Sequence, residues 1–358
     1  MEPTLLGRLF GPIDNSCHSV CRRPAGTSHD LVGYSTDEQE TTRFPDAAAT
    51  GVELLDGLRR EGALMKSDLT SGTVMVLGGG GVGGIAWMTG LLVGIAEEGI
   101  PLPALVEGLI GTSAGATVAA QVSSGSSLHE LYSRQTDPAR QVDELSPDAP
   151  LVEAFQKFLT SGATTTDKTE IRRHVGEFAL HAPTVTEPAR RSVIAARLPS
   201  HAWPDRILRL VAVNARTCEP VVFDRQSGVD LVDAVAASCA VPGIWPPVTV
   251  GPERFVDGGV RSSDNADLAA GASAAIVISP LGGESSALPG DDLAQQLETL
   301  RANGTNVFLL QPDEQSRTAI GKNPLLPSSR APAAEAGRRQ GRAAAADLGQ
   351  FLAGVPSQ

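Results

Sequence analysis

The sequence predicts an α/β protein, a three-layer α/β/α fold whose central sheet is mostly parallel. The first observation behind this prediction is a regular alternation, from Thr73 onward, of short apolar runs with helical stretches. Such alternation is typical of a parallel sheet covered by helices on both faces. The second observation is that glycine-rich and polar motifs follow the predicted strands. In α/β folds the loops after the strands carry the functional site, so we expect the site at that edge of the sheet.

The apolar and helical patterns place the elements in order along the chain. Strands are predicted at residues 73–77, 105–110, 207–213, 221–224, 254–256, 274–279 and 306–311. Helices are predicted at residues 85–98, 114–123, 151–159, 169–180, 231–238, 291–302 and 333–352. The helix at 151–159 lies in a long segment, residues 124–206, between two strands. Both a lid over the site and ordinary core packing are interpretations of that segment.

Composition divides the chain into three parts. Residues 1–68 are rich in Pro, Gly, Ser, Thr and charge, with little periodicity, and predict a flexible N-terminal extension. Residues 69–325 hold the alternating pattern and predict the main domain. Residues 326–358 predict a C-terminal helix that packs on this domain with a solvated basic face.

The pentapeptide Gly111-Thr112-Ser113-Ala114-Gly115 stands between an apolar run and a helical run. This pattern is typical of a nucleophile elbow, in which a strained serine projects its hydroxyl from a strand-to-helix turn. Gly111 and Gly115 would leave the space that such a turn needs. In a chain with 38 glycines, an ordinary tight turn is the alternative.

The histidines argue against the usual triad. In α/β hydrolases the triad follows the chain order serine, acid, histidine, but no histidine follows His201 here. A rearranged order could still use a histidine downstream of Ser113. The polar surroundings of these histidines instead favour solvated surface positions. They are His129, His174, His181 and His201.

Without a histidine, an aspartate in contact with the serine hydroxyl can act as the base if its surroundings raise its pKa. Asp257 is the strongest candidate because it ends an apolar strand and precedes Gly258 and Gly259. A structural Asp-Gly turn is an equally good interpretation of these residues alone.

A glycine-rich turn, residues 78–84, joins the first predicted strand to the first helix. Backbone N–H groups at such a turn can hold either a phosphate or the oxyanion of an acyl-transfer intermediate. A dinucleotide site should have an acidic residue at the end of the next strand, but that strand runs into Ser113. The oxyanion interpretation is therefore favoured, with donors expected among Gly79, Gly80, Gly81, Gly83 and Gly84.

These motifs together resemble the patatin-like phospholipase family, and the resemblance spans roughly residues 73–310. The family combines a glycine-rich oxyanion loop, a Gly-x-Ser-x-Gly elbow and an Asp-Gly-Gly or Asp-Gly-Ala motif, in the order found here. The residues before and after Asp257, 237–243 and 265–269, also look like the family. The resemblance implies a lipid acyl hydrolase domain at residues 69–325, with a dyad of Ser113 as nucleophile and Asp257 as base. Gly83 departs from the family, which usually has Lys or Arg at that position.

Charge and cysteine content limit the classes of partner that the protein is expected to bind. The net charge of −12 and the pI near 5.0 argue against a nucleic-acid partner, because nucleic acids are bound by basic surfaces. We expect a lipid or ester substrate, with at most a transient contact to a membrane or micelle surface. The four scattered cysteines do not predict a disulfide framework, and Cys17, His18 and Cys21 lack a second ligand cluster for a metal. We expect no metal, no cofactor and a cytoplasmic location. The sequence does not predict the oligomeric state.

Overall fold

A computed structural model describes residues 72–145, 167–282 and 292–355, all within the unit Asp46–Gln358. The strands in this part of the chain are β1 Thr73–Leu77, β2 Gly108–Thr112, β3 Ile207–Asn214, β4 Pro220–Phe223, β5 Val248–Val250, β6 Glu253–Asp257, β7 Ala274–Ile278 and β8 Asn306–Leu310. The α-helices are α1 Gly81–Glu97, α2 Leu102–Leu105, α3 Ala114–Val122, α4 Leu128–Thr136, α5 Lys168–His181, α6 Glu187–Arg197, α7 Leu231–Ser238, α8 Leu293–Ala302, α9 Glu314–Ile320 and α10 Arg330–Gly354.

All described strands belong to one mixed sheet, in the order β5-β6-β3-β2-β1-β7-β8, with β4 paired to β3. Strands β3, β2, β1, β7 and β8 run parallel, whereas β4, β5 and β6 form antiparallel pairs. Apolar side chains are buried on both faces of the central strands, in separate clusters. The predicted α/β class with a mostly parallel sheet is therefore confirmed.

Helix α1 is buried almost all round, because it packs along α10 and shares a hydrophobic core with side chains of the sheet. The two helix backbones approach closely at glycines. A Cβ atom at Gly90 would lie 2.0 Å from the carbonyl oxygen of Ala334, and one at Gly337 would lie 2.2 Å from that of Trp87. Side chains at these positions would force the helices apart, so the glycines allow the short distance between α1 and α10.

Several boundaries differ from the predicted ones. Helix α1 starts at Gly81 rather than at Ile85, because tertiary contacts of the turn overcome the low helix propensity of glycine. The strand predicted at 105–110 is β2 at Gly108–Thr112, preceded by the short helix α2. The long segment 124–206 contains α4, α5 and α6, of which only α5 was predicted.

Strand β5 and helix α9 were also not predicted, since both are short and have weak periodicity. The helix predicted at 151–159, the extension 1–68, and Cys17, His18 and Cys21 lie outside the described residues. None of the described helices combines the length and apolar character required to cross a membrane.

Candidate active site

Ser113 occupies a sharp turn between β2 and α3, with φ of 53° and ψ of −114°. A positive φ is unfavourable for a residue with a Cβ atom, and strained residues of this kind cluster at active sites. The two glycines of the pentapeptide make the turn possible. A Cβ at Gly111 would lie 2.6 Å from Cα of Ala116, and one at Gly115 would lie 1.9 Å from the carbonyl oxygen of Leu77.

The C-terminal end of α7 holds this turn in place. The backbone N–H of Ser113 donates to the hydroxyl of Ser238 at 2.9 Å, and the thiol of Cys239 donates to the carbonyl oxygen of Ser113 at 3.1 Å. Burial raises the pKa of Cys239 to about 11, so its thiol is protonated and can donate. These contacts support the strained serine backbone from a segment remote in sequence.

Asp257 ends β6, which pairs with β3, the neighbour of the strand that leads to Ser113. Its side chain is buried, and its Oδ1 atom accepts a hydrogen bond from the backbone N–H of Gly259 at 2.8 Å. A Cβ at Gly258 would lie 2.4 Å from the carbonyl oxygen of Val211, so the turn packs tightly on β3. The structure thus places the Asp-Gly-Gly motif two strands from the serine turn.

Burial raises the pKa of Asp257 to about 6, although the Ser113 hydroxyl, the Gly259 N–H and the Arg190 guanidinium oppose the shift. The Oδ2 atom is buried and accepts no hydrogen bond of good geometry from the described residues. The Ser113 hydroxyl favours the ionised carboxylate of Asp257, which indicates that the two side chains are neighbours. A carboxylate with a pKa near 6 can take up a proton at neutral pH.

The glycine-rich loop lies beside the serine, since a Cβ at Gly79 would be 3.6 Å from Cβ of Ser113. Three of the five glycine N–H groups expected to bind an oxyanion already donate hydrogen bonds to backbone oxygens. Gly79 donates to Ser263, Gly83 to Pro324 and Gly84 to Gly80, at 2.7 to 2.8 Å.

The N–H groups of Gly79, Gly83 and Gly84, which were expected among the oxyanion donors, are thus engaged by backbone oxygens in this structure. Within the part of the chain that the structure describes, the N–H groups of Gly80 and Gly81 donate to no backbone oxygen. Gly81 begins α1 with φ of 59°. Its N–H lies at the positive end of the helix dipole, which strengthens its attraction for an anion. Gly80 and Gly81 are the candidate donors.

A cavity of about 20 Å³ adjoins the serine, with space for roughly one water molecule. Its walls include Ser113, Gly81, Arg190, Trp245 and Leu325. The sequence analysis did not single out Arg190 or Trp245 as site residues. Arg190 sits on an amphipathic helix among other charged residues, so the sequence gives no signal that it is buried.

The histidines considered as alternative bases do not reach this site. All four described histidines downstream of Ser113 are exposed at the surface: His129, His174, His181 and His201. Groups of three or more His, Cys, Asp or Glu side chains placed to hold a metal are absent from the described residues.

The chain is similar to one protein-family model and to several solved structures. The sequence model described as patatin-like phospholipase matches residues 75–270, more than half of the chain. Among solved structures, VipD from Legionella pneumophila is similar at 14% identity and a TM-score of 0.39, over 80% of this chain and 67% of VipD. The type III effector protein ExoU is similar at 19% identity and a TM-score of 0.34, over 78% of this chain. The chain spans only about half of ExoU, 53%. No curated protein matches.

The fold and the matched region define an α/β protein of the lipid acyl hydrolase class. More particularly, the chain belongs to the patatin-like phospholipase family.

Proposed function

We propose that the protein is a serine acyl hydrolase that cleaves carboxylic esters of lipids with a dyad of Ser113 and Asp257. The observation that carries this proposal is the strained Ser113 beside a buried aspartate whose pKa is raised to about 6. Such a carboxylate suits a general base near neutral pH, and a strained serine turn presents its hydroxyl for attack.

The proposed reaction has two halves. The Oγ atom of Ser113 attacks the ester carbonyl while Asp257 takes the hydroxyl proton, and the N–H groups of Gly80 and Gly81 stabilise the oxyanion. Collapse of the intermediate breaks the ester bond, and Asp257 returns the proton to the leaving alcohol. Water then attacks the acyl-enzyme and gives a proton to Asp257, and collapse of the second intermediate returns this proton to Ser113 Oγ as the free acid leaves. No step requires a metal or cofactor.

A fluorophosphonate probe and a short-chain ester test the proposal. The wild-type protein should be labelled and should hydrolyse the ester, whereas Ser113→Ala should do neither and should keep its thermal stability. Ser133→Ala is the matched control, because Ser133 bonds only within its helix and with Arg140 at the surface. Asp257→Asn should also be inactive. Retained turnover in Ser113→Ala would contradict the assignment.

A second candidate is an acyl-lipid or nucleotide-binding module with weak or no catalysis. The small size of the cavity, about 20 Å³, favours it because there is little room for an ester beside the serine, and the Gly83 N–H is engaged by Pro324 rather than free to bind an oxyanion. The nucleotide version has less support, because three glycine N–H groups of the loop already donate to backbone oxygens. An unlabelled protein that binds a fatty acid or a nicotinamide dinucleotide would identify this alternative.

A further inference from the structure

Three buried arginines surround one glutamate beside the proposed site. Arg190 Nη1 lies 2.9 Å from Glu144 Oε1, Arg197 Nε lies 3.0 Å from Glu144 Oε2, and Arg330 Nη2 lies 3.1 Å from the same Oε2. The side chains of these four residues are between 2% and 8% exposed. We call these three arginines with Glu144 the arginine cluster.

The arginine cluster holds more positive than negative charge. Three guanidinium groups face one carboxylate, and an ionised Asp257 would still leave one positive charge in excess. Burial raises the pKa of Glu144, but Arg197 and Arg190 outweigh it, and the pKa stays below its usual value. Burial, reinforced by the charge of Arg197, lowers the pKa of Arg190 to about 10. Excess buried charge is unfavourable without a counter-ion, so the cluster is suited to receive an anion.

Arg190 also has an N–H group without a hydrogen-bond partner among the described residues. Its Nε atom is buried with no hydrogen-bond partner among the described residues, while its guanidinium lies 3.9 Å over the ring of Trp245. Stacking on Trp245 and the bond to Glu144 fix the guanidinium plane. An unpartnered, oriented guanidinium N–H is a strong donor to a phosphate or carboxylate.

The cluster adjoins the proposed nucleophile. Arg190 and Arg197 line the cavity that also contains Ser113. Arg197 further lines a second cavity of about 20 Å³ together with Glu144 and Arg330. Val82 and Ile85 of α1 also line both cavities, so the two spaces are neighbours.

We propose that the arginine cluster binds an anionic group of the substrate, a phosphate or a carboxylate, close to the scissile ester. The inference rests on the proposed function, because it assumes that Ser113 attacks that ester. Arg190 makes the first contact through its free donor, and Arg197 adds charge behind it. Glu144 keeps the arginines together in the absence of substrate.

Three soluble esters with the same medium-length acyl chain test this inference. They are the neutral monoacylglycerol, its phosphate monoester, and the corresponding acyl ester of glyceric acid, which carries a carboxylate. We expect kcat/KM of the wild-type protein to be at least tenfold higher for one or both anionic esters than for the neutral one. The two anionic arms show whether phosphate or carboxylate is preferred.

Arg190→Gln should lower this preference at least tenfold, and Arg190→Lys, which keeps the charge, should retain part of it. Arg191→Gln is the matched control: Arg191 is the next residue on α6, but it is 43% exposed and pairs with Asp233. The control should keep the wild-type preference. If the Arg190 variants do not fold, the wild-type comparison decides alone.

Equal kcat/KM for neutral and anionic esters in the wild-type protein would overturn the inference while leaving the hydrolase intact. An equal loss for all three esters in Arg190→Gln would overturn it as well, because that result indicates a structural role. If no ester is turned over and no fluorophosphonate reacts, the proposed function fails instead. Calorimetric binding of the three esters to Ser113→Ala then still decides the inference, which requires tighter binding of an anionic ester.

Discussion

The backbone N–H of Gly83 donates a hydrogen bond to the carbonyl oxygen of Pro324 at 2.8 Å, joining the glycine-rich loop to the segment before α10. A Cβ at Gly83 would lie 3.0 Å from the hydroxyl oxygen of Ser329 and 3.2 Å from Cγ2 of Ile320. These neighbours leave little room for a side chain. The structure thus gives a packing reason for glycine at the position where the family usually carries a basic residue.

Gly83→Lys should therefore destabilise the protein rather than improve it. We expect a loss of about 1–3 kcal/mol in the free energy of unfolding, because a large side chain is inserted into a filled space. Urea denaturation measures this loss. Gly354→Lys is the control, since a Cβ there meets nothing within 4 Å. An unchanged midpoint for Gly83→Lys would show that the segment before α10 moves away readily.

Asn265 connects the two halves of the candidate dyad. Its Nδ2 atom donates to Thr112 Oγ1 at 3.0 Å, next to Ser113, and to the carbonyl oxygen of Gly258 at 3.3 Å, next to Asp257. Its φ of 51° also suits asparagine better than most residues. Asn265→Ala should cost about 1–3 kcal/mol, because buried partners lose their hydrogen bonds.

Asn265→Ala should also have a lower kcat if the dyad is correctly assigned. The turns that carry Ser113 and Asp257 both lose their hydrogen bonds to Asn265. Asn306→Ala is the control, because the side chain of Asn306 is exposed. Its effect should stay within about 0.5 kcal/mol. If Asn265→Ala and Asn306→Ala were equally stable, Asn265 would not connect the two turns.

The proposed base sets the pH dependence of hydrolysis. Because Asp257 must be ionised to accept the proton and its pKa is about 6, kcat/KM should rise with pH up to about 6 and level off above it. A pH profile with a neutral ester measures this rise, which is the acid limb of the profile. Asp264 is a second buried carboxyl group with a pKa of about 6, so Asp264→Asn is the control and should keep the limb. A profile that is flat between pH 5 and 8 would contradict Asp257 as the base.

Asp257 should make the stability of the wild-type protein fall as pH rises, and Asp257→Asn should lack this dependence. The pKa of Asp257 is raised from 3.8 to about 6 in the folded protein, so its contribution to stability is full below 3.8 and is lost as pH rises through 6. Asparagine avoids that loss and keeps the acceptor for Gly259. We expect the variant to be more stable than wild type by up to roughly 3 kcal/mol at pH 8.

At pH 3.5 the two proteins should have nearly equal stability, because both side chains are then neutral. Urea denaturation at the two pH values measures the difference. If the variant is not stabilised at pH 8, Asp257 is not held in surroundings that disfavour its charge.

The candidate dyad was predictable because each half is a local pattern. A serine between glycines after a buried strand requires a tight turn, and Gly115 does pack against the carbonyl oxygen of Leu77. Asp257 likewise ends a strand and precedes glycine. The count of histidines in the sequence was enough to argue against the usual triad.

Two features of the site were not predictable from local patterns. The donor set of the glycine loop depends on which N–H groups are already bonded, and Pro324 is far from Gly83 in sequence. The arginine cluster brings together side chains from three distant segments. Arg191, whose side chain is 43% exposed, and Arg190, which is buried, are adjacent residues on one helix.

The sequence by itself determined the α/β class, the order of the main elements and the positions of Ser113 and Asp257, because turn chemistry and hydrophobic periodicity act over a few residues. Only the tertiary structure decided which backbone donors stay available and where buried charge collects. Hydrogen-bond partners and burial are properties of the packed chain, in which residues distant in sequence compete for the same groups.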